Sequence, residues 1–214
     1  DLLEALGVKI DNPKEKIEKI LREVGIAYLH APNFHPAMKH AAAVRKELGF
    51  RTIFNLLGPL CNPAGANAQV IGIFAPGLVR TVAEVLQTLG STHVFTFHGH
   101  GGLDELSTTG ENRVIEMSGG NISKWTIGPG TIGVPVAVAA DLAGGDAPAN
   151  AAIARDILSG KKGPKRDIVV LNAAVALIAA GQANTPEDGA RKAAEALDSG
   201  AAKKKLDQLA AATR

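Results

Sequence analysis

A single cysteine, Cys61, stands among the 214 residues, so no disulfide can form within the chain. That excludes the disulfide-stapled class of small secreted domains and makes a reducing compartment, the cytoplasm, the expected location. Aromatic residues are scarce at 4%, too few for a base-stacking platform. Neither sign of charge dominates: 23 Lys and Arg against 21 Asp and Glu leave +2, which gives no electrostatic case for nucleic acid or a membrane surface. No apolar run reaches membrane-spanning length, and no signal segment is expected. There is no initiator methionine, and residues 1–6 read as the middle of a helix, so the chain is expected to start inside a larger protein.

What is present is an ordinary globular mixture, 46% hydrophobic and 21% charged, enough for one large domain or a domain with part of another. Asn12-Pro13-Lys14-Glu15 has the form of a helix start with a capping box, followed by Ile17, Ile20, Leu21 and Val24 at helical spacing and a stop at Gly25. Pro36 is expected to open the next helix, ending near Gly49. The apolar stretch 53–60 is interrupted by Gly58 and Pro59. Residues 69–74 predict a strand, 76–89 a helix and 93–97 a second strand, which together form a βαβ unit with a glycine-rich loop at the carboxyl end of its second strand. A hairpin over 113–117 and 122–127 follows, then Ala-rich helices over 149–158, 168–180 and from Thr185 to Leu197. The expected class is α/β, with a mostly parallel sheet flanked by helices; the resemblance given below adds part of a smaller all-helical domain.

Two blocks carry chemistry. The first runs His35-Pro36-Ala37-Met38-Lys39-His40-Ala41-Ala42-Ala43-Val44-Arg45. As a helix with His35 at its start, it places His35, Met38, Ala42 and Arg45 within a sector of about 80° along a stripe about 15 Å long, which suits a channel better than one compact pocket. Arg45 is able to grip a carboxylate with two parallel hydrogen bonds. The same residues also fit a helix cap, a core methionine and a solvated arginine. The second block is Gly101-Gly102-Leu103-Asp104-Glu105-Leu106-Ser107. Asp104 and Glu105 offer two hard oxygen ligands, and Mg2+ favours one or two carboxylates completed by water and substrate phosphate oxygens; paired carboxylates also occur on plain solvated turns. His98 and His100 flank the loop and read as structural. Gly144-Gly145-Asp146 reads as a turn and cap, and Lys161-Lys162-Gly163-Pro164-Lys165-Arg166 as a solvated loop.

These stretches, together with the surrounding APNFHPAMKHAAAVRKELGFRTIFNLLGPLCNPA, HGHGGLDELSTTG and GGDAPANAAIARDILSGKKGPKRDIVVLNAA, resemble the anthranilate phosphoribosyltransferases, members of the nucleoside phosphorylase and phosphoribosyltransferase class. The resemblance implies transfer of phosphoribose from 5-phosphoribosyl 1-pyrophosphate to the amino group of anthranilate, a step of tryptophan biosynthesis, with Mg2+ as cofactor and a homodimer as the complete enzyme. It matches Arg45 to the arginine that contacts the anthranilate carboxylate, Pro32, His35 and Met38 to the anthranilate channel, and Asp104 and Glu105 to the Mg2+ pair. No covalent nucleophile or acid/base residue is implied. An aromatic residue is common in the family where Met38 stands, and a glutamate where Ala149 stands.

The resemblance also implies an organisation. Residues 1–30 match helices of the α/β domain and the hinge, 31–65 a segment reaching into the small helical domain, and 66–214 the main α/β domain. The family's Gly-Thr-Gly-Gly-Asp, Asn-x-Ser-Thr and Lys-His-Gly-Asn segments, which hold the donor phosphates, do not occur here. The chain therefore resembles the C-terminal two thirds of the enzyme and is expected to lack appreciable transferase activity alone. A pyrimidine nucleoside phosphorylase-like enzyme and a non-catalytic nucleic-acid-binding relative of the same fold are the alternatives.

Overall fold

The inner residues Val94, Phe95, Thr96 and Phe97 of the strand His93–His98 are all buried, as in a strand covered on both faces. The computed structural model describes residues 1–38, 40, 44, 47–50 and 52–214, apart from the side chain of Met38, and it shows what does the covering. Among the described residues a single sheet holds β1 (Ala68–Gly72), β2 (His93–His98), β3 (Asn112–Ser118) and β4 (Asn121–Ile127), neighbours in that order. The helices whose full span lies among the described residues are α1 (Leu2–Ala5), α2 (Lys14–Val24), α3 (Ala31–Phe34), α4 (Phe54–Leu60), α5 (Val79–Thr88), α6 (Ala139–Leu142), α7 (Ala147–Leu158), α8 (Pro164–Ala179), α9 (Pro186–Asp198) and α10 (Ala201–Thr213). The fold is α/β with helices on both faces of the sheet.

The sheet is mixed, and the parallel pairing expected for most of it is confined to β1 and β2; the other two pairs are antiparallel. The cause is the length of chain between strands. A parallel step needs a crossover, and α5 provides one between β1 and β2. Only Gly119 and Gly120, both at positive φ, separate β3 from β4, so those strands must fold back as a hairpin.

Strand alternation sorts the core into layers. Phe95, Phe97, Val114 and Ile127 face α8, where Leu171, Val175 and Ile178 meet them. Val94, Ile71, Ile115 and Met117 face α5, against Val82, Ala83 and Leu86. Thr96, buried on the second face, donates its hydroxyl hydrogen to the Val79 carbonyl at 2.9 Å and ties the first turn of α5 to β2. A further layer forms where Val170 and Ala174 of α8 meet Ala190, Ala193 and Leu197 of α9. Separately, Val8 and Ile20 pack on Leu209 and Ala210, which docks α2 on α10.

Several boundaries differ from expectation for local reasons. Asn12 does not cap α2: its amide donates to the Lys9 carbonyl at 2.6 Å and is buried, and Pro13 stands at the cap position without a side-chain bond. Residues 54–60 stay helical through Gly58 and Pro59, because the Cys61 amide still reaches the Leu57 carbonyl at 3.0 Å. His35 closes α3, and the next helical turn opens at Pro36 as expected, in 3-10 form over Pro36–Met38; of the described residues after it, 40, 44, 47 and 48 are helical and Gly49 is not. Lys161–Arg166 is not a solvated loop throughout: Arg166 is buried and pairs with Asp198 at 2.8 Å, where Lys162 joins it, binding the start of α8 to the end of α9. Thr185 does cap α9, accepting from the Asp188 amide at 3.2 Å.

A close helix contact lies at Gly189. A Cβ there would stand 2.6 Å from the Ala174 carbonyl oxygen, so α8 and α9 touch backbone to backbone. Gly189→Ala gains about 1 kcal/mol of helix propensity but overpacks this contact, at a cost of about 1–3 kcal/mol. The expected net result is a lower urea midpoint; a raised midpoint would contradict the close approach.

Candidate active site

Asp104 and Glu105 sit on the loop after β2, and main-chain packing holds them there. A Cβ on Gly72, the last residue of β1, would lie 1.6 Å from the Asp104 carbonyl oxygen. A Cβ on Gly99, one residue past β2, would lie 1.9 Å from the Glu105 carbonyl oxygen. Only glycine permits these approaches. The loop therefore lies directly across the carboxyl ends of the one parallel pair, the place where open α/β sheets bind ligands.

Two asparagines lock the loop. Asn112 is completely buried, and its Oδ1 accepts from the amides of His100 and Ser107, each at 2.8 Å. Its Nδ2 donates to the carbonyls of Ser107 and Ile127, both at 2.9 Å. Asn172, within the apolar run of α8 that follows Asp167, accepts from the Leu106 amide at 2.9 Å and donates back to the Leu106 carbonyl at 2.8 Å. Leu106 itself is fully buried. The acidic residues are thus the exposed end of a segment whose next three residues are core. His98 and His100 each make a hydrogen bond within the fold. His98 Nδ1–H donates to the Ile73 carbonyl at 2.8 Å, and His100 Nδ1 lies 3.0 Å from the Thr109 hydroxyl.

Partial burial of its carboxyl raises the pKa of Glu105, and the neighbouring Asp104 raises it further through its charge and a side-chain hydrogen bond. Two carboxylates held this close repel when both ionise, and a bound divalent cation would relieve that repulsion. Among the described residues no group of three or more His, Cys, Asp or Glu could hold a metal. Two carboxylates would suit a hard cation such as Mg2+ completed by water and phosphate oxygens, and they lack the softer nitrogen and sulfur ligands that zinc or copper favours.

Beside the loop is a cleft of about 620 Å³, walled by Phe34 and His35 at the end of α3, Pro59 of α4, and Gln69, Ile71 and Gly72 of β1. Gly72 belongs to both features, since it lines the cleft and carries Asp104 against its backbone. Of the residues expected at an aromatic-acid channel, His35 lines this cleft. Pro32 is exposed in α3 and does not line it. Met38 ends the 3-10 turn, its side chain being outside the described residues, and Arg45 falls wholly outside them. Sequence reasoning missed Gly72, Asn112 and Asn172. A glycine ending an apolar strand and an asparagine inside an apolar helix were the available signals.

Residues 1–203 match the sequence pattern of the glycosyl transferase family, a/b domain. The chain belongs to this family. Its relatives include the anthranilate phosphoribosyltransferase of Moorella thermoacetica, 51% identical over 99% of this chain and 62% of the relative. That of Anaeromyxobacter sp. strain K is 51% identical over all of this chain and 63% of its own. The chain thus spans less than two thirds of the curated relatives it matches. Among solved structures, anthranilate phosphoribosyltransferase from Thermus thermophilus superposes with a TM-score of 0.92 at 44% identity, covering 100% of this chain and 63% of that one. The Saccharomyces cerevisiae enzyme in complex with PRPP and Mg superposes with a TM-score of 0.91 at 27% identity, covering 99% of this chain and 61% of that one.

The paired carboxyls allow a direct check. Because folding raises the Glu105 pKa, the folded chain keeps this proton to higher pH than the unfolded chain, and the group withdraws stability as pH rises between the two values. Asp104→Asn removes the nearby charge and should move the Glu105 titration, followed by carboxyl carbon NMR, down toward the ordinary range. An unmoved titration would mean that burial alone sets it.

Proposed function

We propose that this chain forms the acceptor and metal side of a phosphoribosyltransferase site that joins the amine of anthranilate to C1 of the ribose in 5-phosphoribosyl 1-pyrophosphate, releasing pyrophosphate. The observation that carries this is the shared residue Gly72, which puts an apolar cleft and an acidic pair side by side at the carboxyl edge of the sheet. The relatives reported above support it over the pyrimidine nucleoside phosphorylase and nucleic-acid-binding alternatives.

In this reading Phe34, His35 and Pro59 sandwich the aromatic acid, and Arg45, assigned by resemblance, takes its carboxylate. The ring amine is then held facing the sugar carbon, a proximity effect that compensates for its weak nucleophilicity. Asp104 and Glu105 hold Mg2+, which when bound offsets the charge developing on the departing pyrophosphate. The fixed loop contributes geometry: locked by Asn112 and Asn172, the carboxylates need no rearrangement when ligand arrives. No side chain forms a covalent bond to the sugar. Residues 31–65 are the segment that carries the acceptor cleft toward a small helical domain, and a homodimer is the assembly we assign to the complete enzyme.

Anthranilate fluorescence tests the acceptor half. The chain should bind anthranilate saturably, and Arg45→Ala should weaken that binding by about tenfold or more, the range expected for losing a charge-assisted pair. The paired substitutions Asp104→Asn and Glu105→Gln should leave anthranilate affinity within about twofold and abolish Mg2+ binding measured by calorimetry. Unchanged anthranilate affinity in Arg45→Ala removes the carboxylate assignment, and an unchanged Mg2+ isotherm removes the metal assignment.

A further inference from the structure

A second cleft, of about 650 Å³, shares no lining residue with the first. It is bounded by the start of α5, the turn at His98–Gly102, and the outer rows of β3 and β4. Arg80, Arg113 and Lys124 line it against one carboxylate, Glu111. Glu84 already engages Arg80 at 2.8 Å. The side chains of Arg113 and Lys124 have no hydrogen bond or ion pair with any described residue.

Strand register explains why these cations are left over. His98 lies opposite Arg113, Arg113 opposite Thr126, and Ile115 opposite Lys124. Opposed residues of antiparallel strands share a face, so Arg113 and Lys124 are diagonal neighbours on the face that α5 covers. That helix packs on Ile115 and Met117, while Lys124 and Thr126 on the edge strand remain exposed. The nearest strand carboxylate, Glu116, alternates to the opposite face, where His93 takes it at 2.9 Å and Ser123 at 3.2 Å. His98 adds a polar wall, its Nδ1–H committed to the Ile73 carbonyl.

We propose that this cleft binds a compact, multiply charged phosphate, a diphosphate or an organic phosphate ester, gripped by Arg113 and Lys124 with Arg80 behind them. Guanidinium supplies the two-pronged bond to phosphate oxygens and ammonium a mobile point charge. The volume lies within the range of small-molecule sites, about 300–1,000 Å³, larger than a bare ion needs. The site stands independently of the acceptor cleft and of the acidic pair.

Inorganic pyrophosphate, in buffer with a chelator so that no divalent cation bridges it to Asp104 and Glu105, is the probe. Calorimetry measures its affinity. Trp125, the only tryptophan of the chain and part of the cleft lining, reports occupancy by its emission. The wild-type chain should bind saturably, Arg113→Gln with Lys124→Gln should weaken binding by about tenfold or more, and Asp104→Asn with Glu105→Gln should leave it within about twofold. All four positions are exposed, so an unchanged thermal midpoint verifies that each variant folds. Absence of saturable binding by wild type up to about 10 mM, full affinity in Arg113→Gln with Lys124→Gln, or equal losses in both double variants would each overturn the proposal.

Discussion

The site depends on two main-chain approaches that no side chain larger than hydrogen would permit. Gly72 and Gly99 let the segment carrying Asp104 and Glu105 lie flat on the ends of β1 and β2. Backbone against backbone is a stiff contact, since neither partner has a rotamer to change. The position of the carboxylates therefore follows from the sheet itself, and the sheet in turn is clamped between α5 and α8. Function inherits its geometry from the core through these two glycines.

Such a contact buries polar backbone that must be satisfied, and buried asparagines do this. An unpaired buried amide costs about 1–3 kcal/mol, and Asn112 alone satisfies two amides and two carbonyls around the loop. Asn172 does the same for Leu106 from the opposite layer. The loop is consequently part of the cooperative core, while its acidic tip stays in solvent. That combination suits a site that has to present charge to a ligand without moving.

Much of this was legible in the sequence, and the rest was hidden for identifiable reasons. The β3–β4 hairpin announced itself through alternation around Gly119 and Gly120, and the start of α9 through Thr185-Pro186. Asp104 and Glu105 stood out beside their glycines, of which Gly99 receives the Glu105 carbonyl of the same loop. The mixed sheet was harder, because a βαβ pattern at β1 and β2 says nothing of how the next strands pair. Asn12 and Pro59 carried strong local signals that other local bonds overrode, one by a bond to Lys9 and the other by a helix whose remaining bonds bridge the gap. Gly72 carried no signal beyond its residue type, since its partner lies 32 positions away in the chain.

The central claim, that the acidic pair and the acceptor cleft meet at Gly72, is tested most directly by paramagnetic relaxation from Mn2+, standing in for Mg2+, on the isotopically labelled chain. The strongest broadening should fall on the amides of Asp104 and Glu105, then on Gly72 and Gly99, with bound anthranilate broadened in the same titration. Broadening centred on other carboxylates, with the Gly72 amide and anthranilate untouched, would contradict the account.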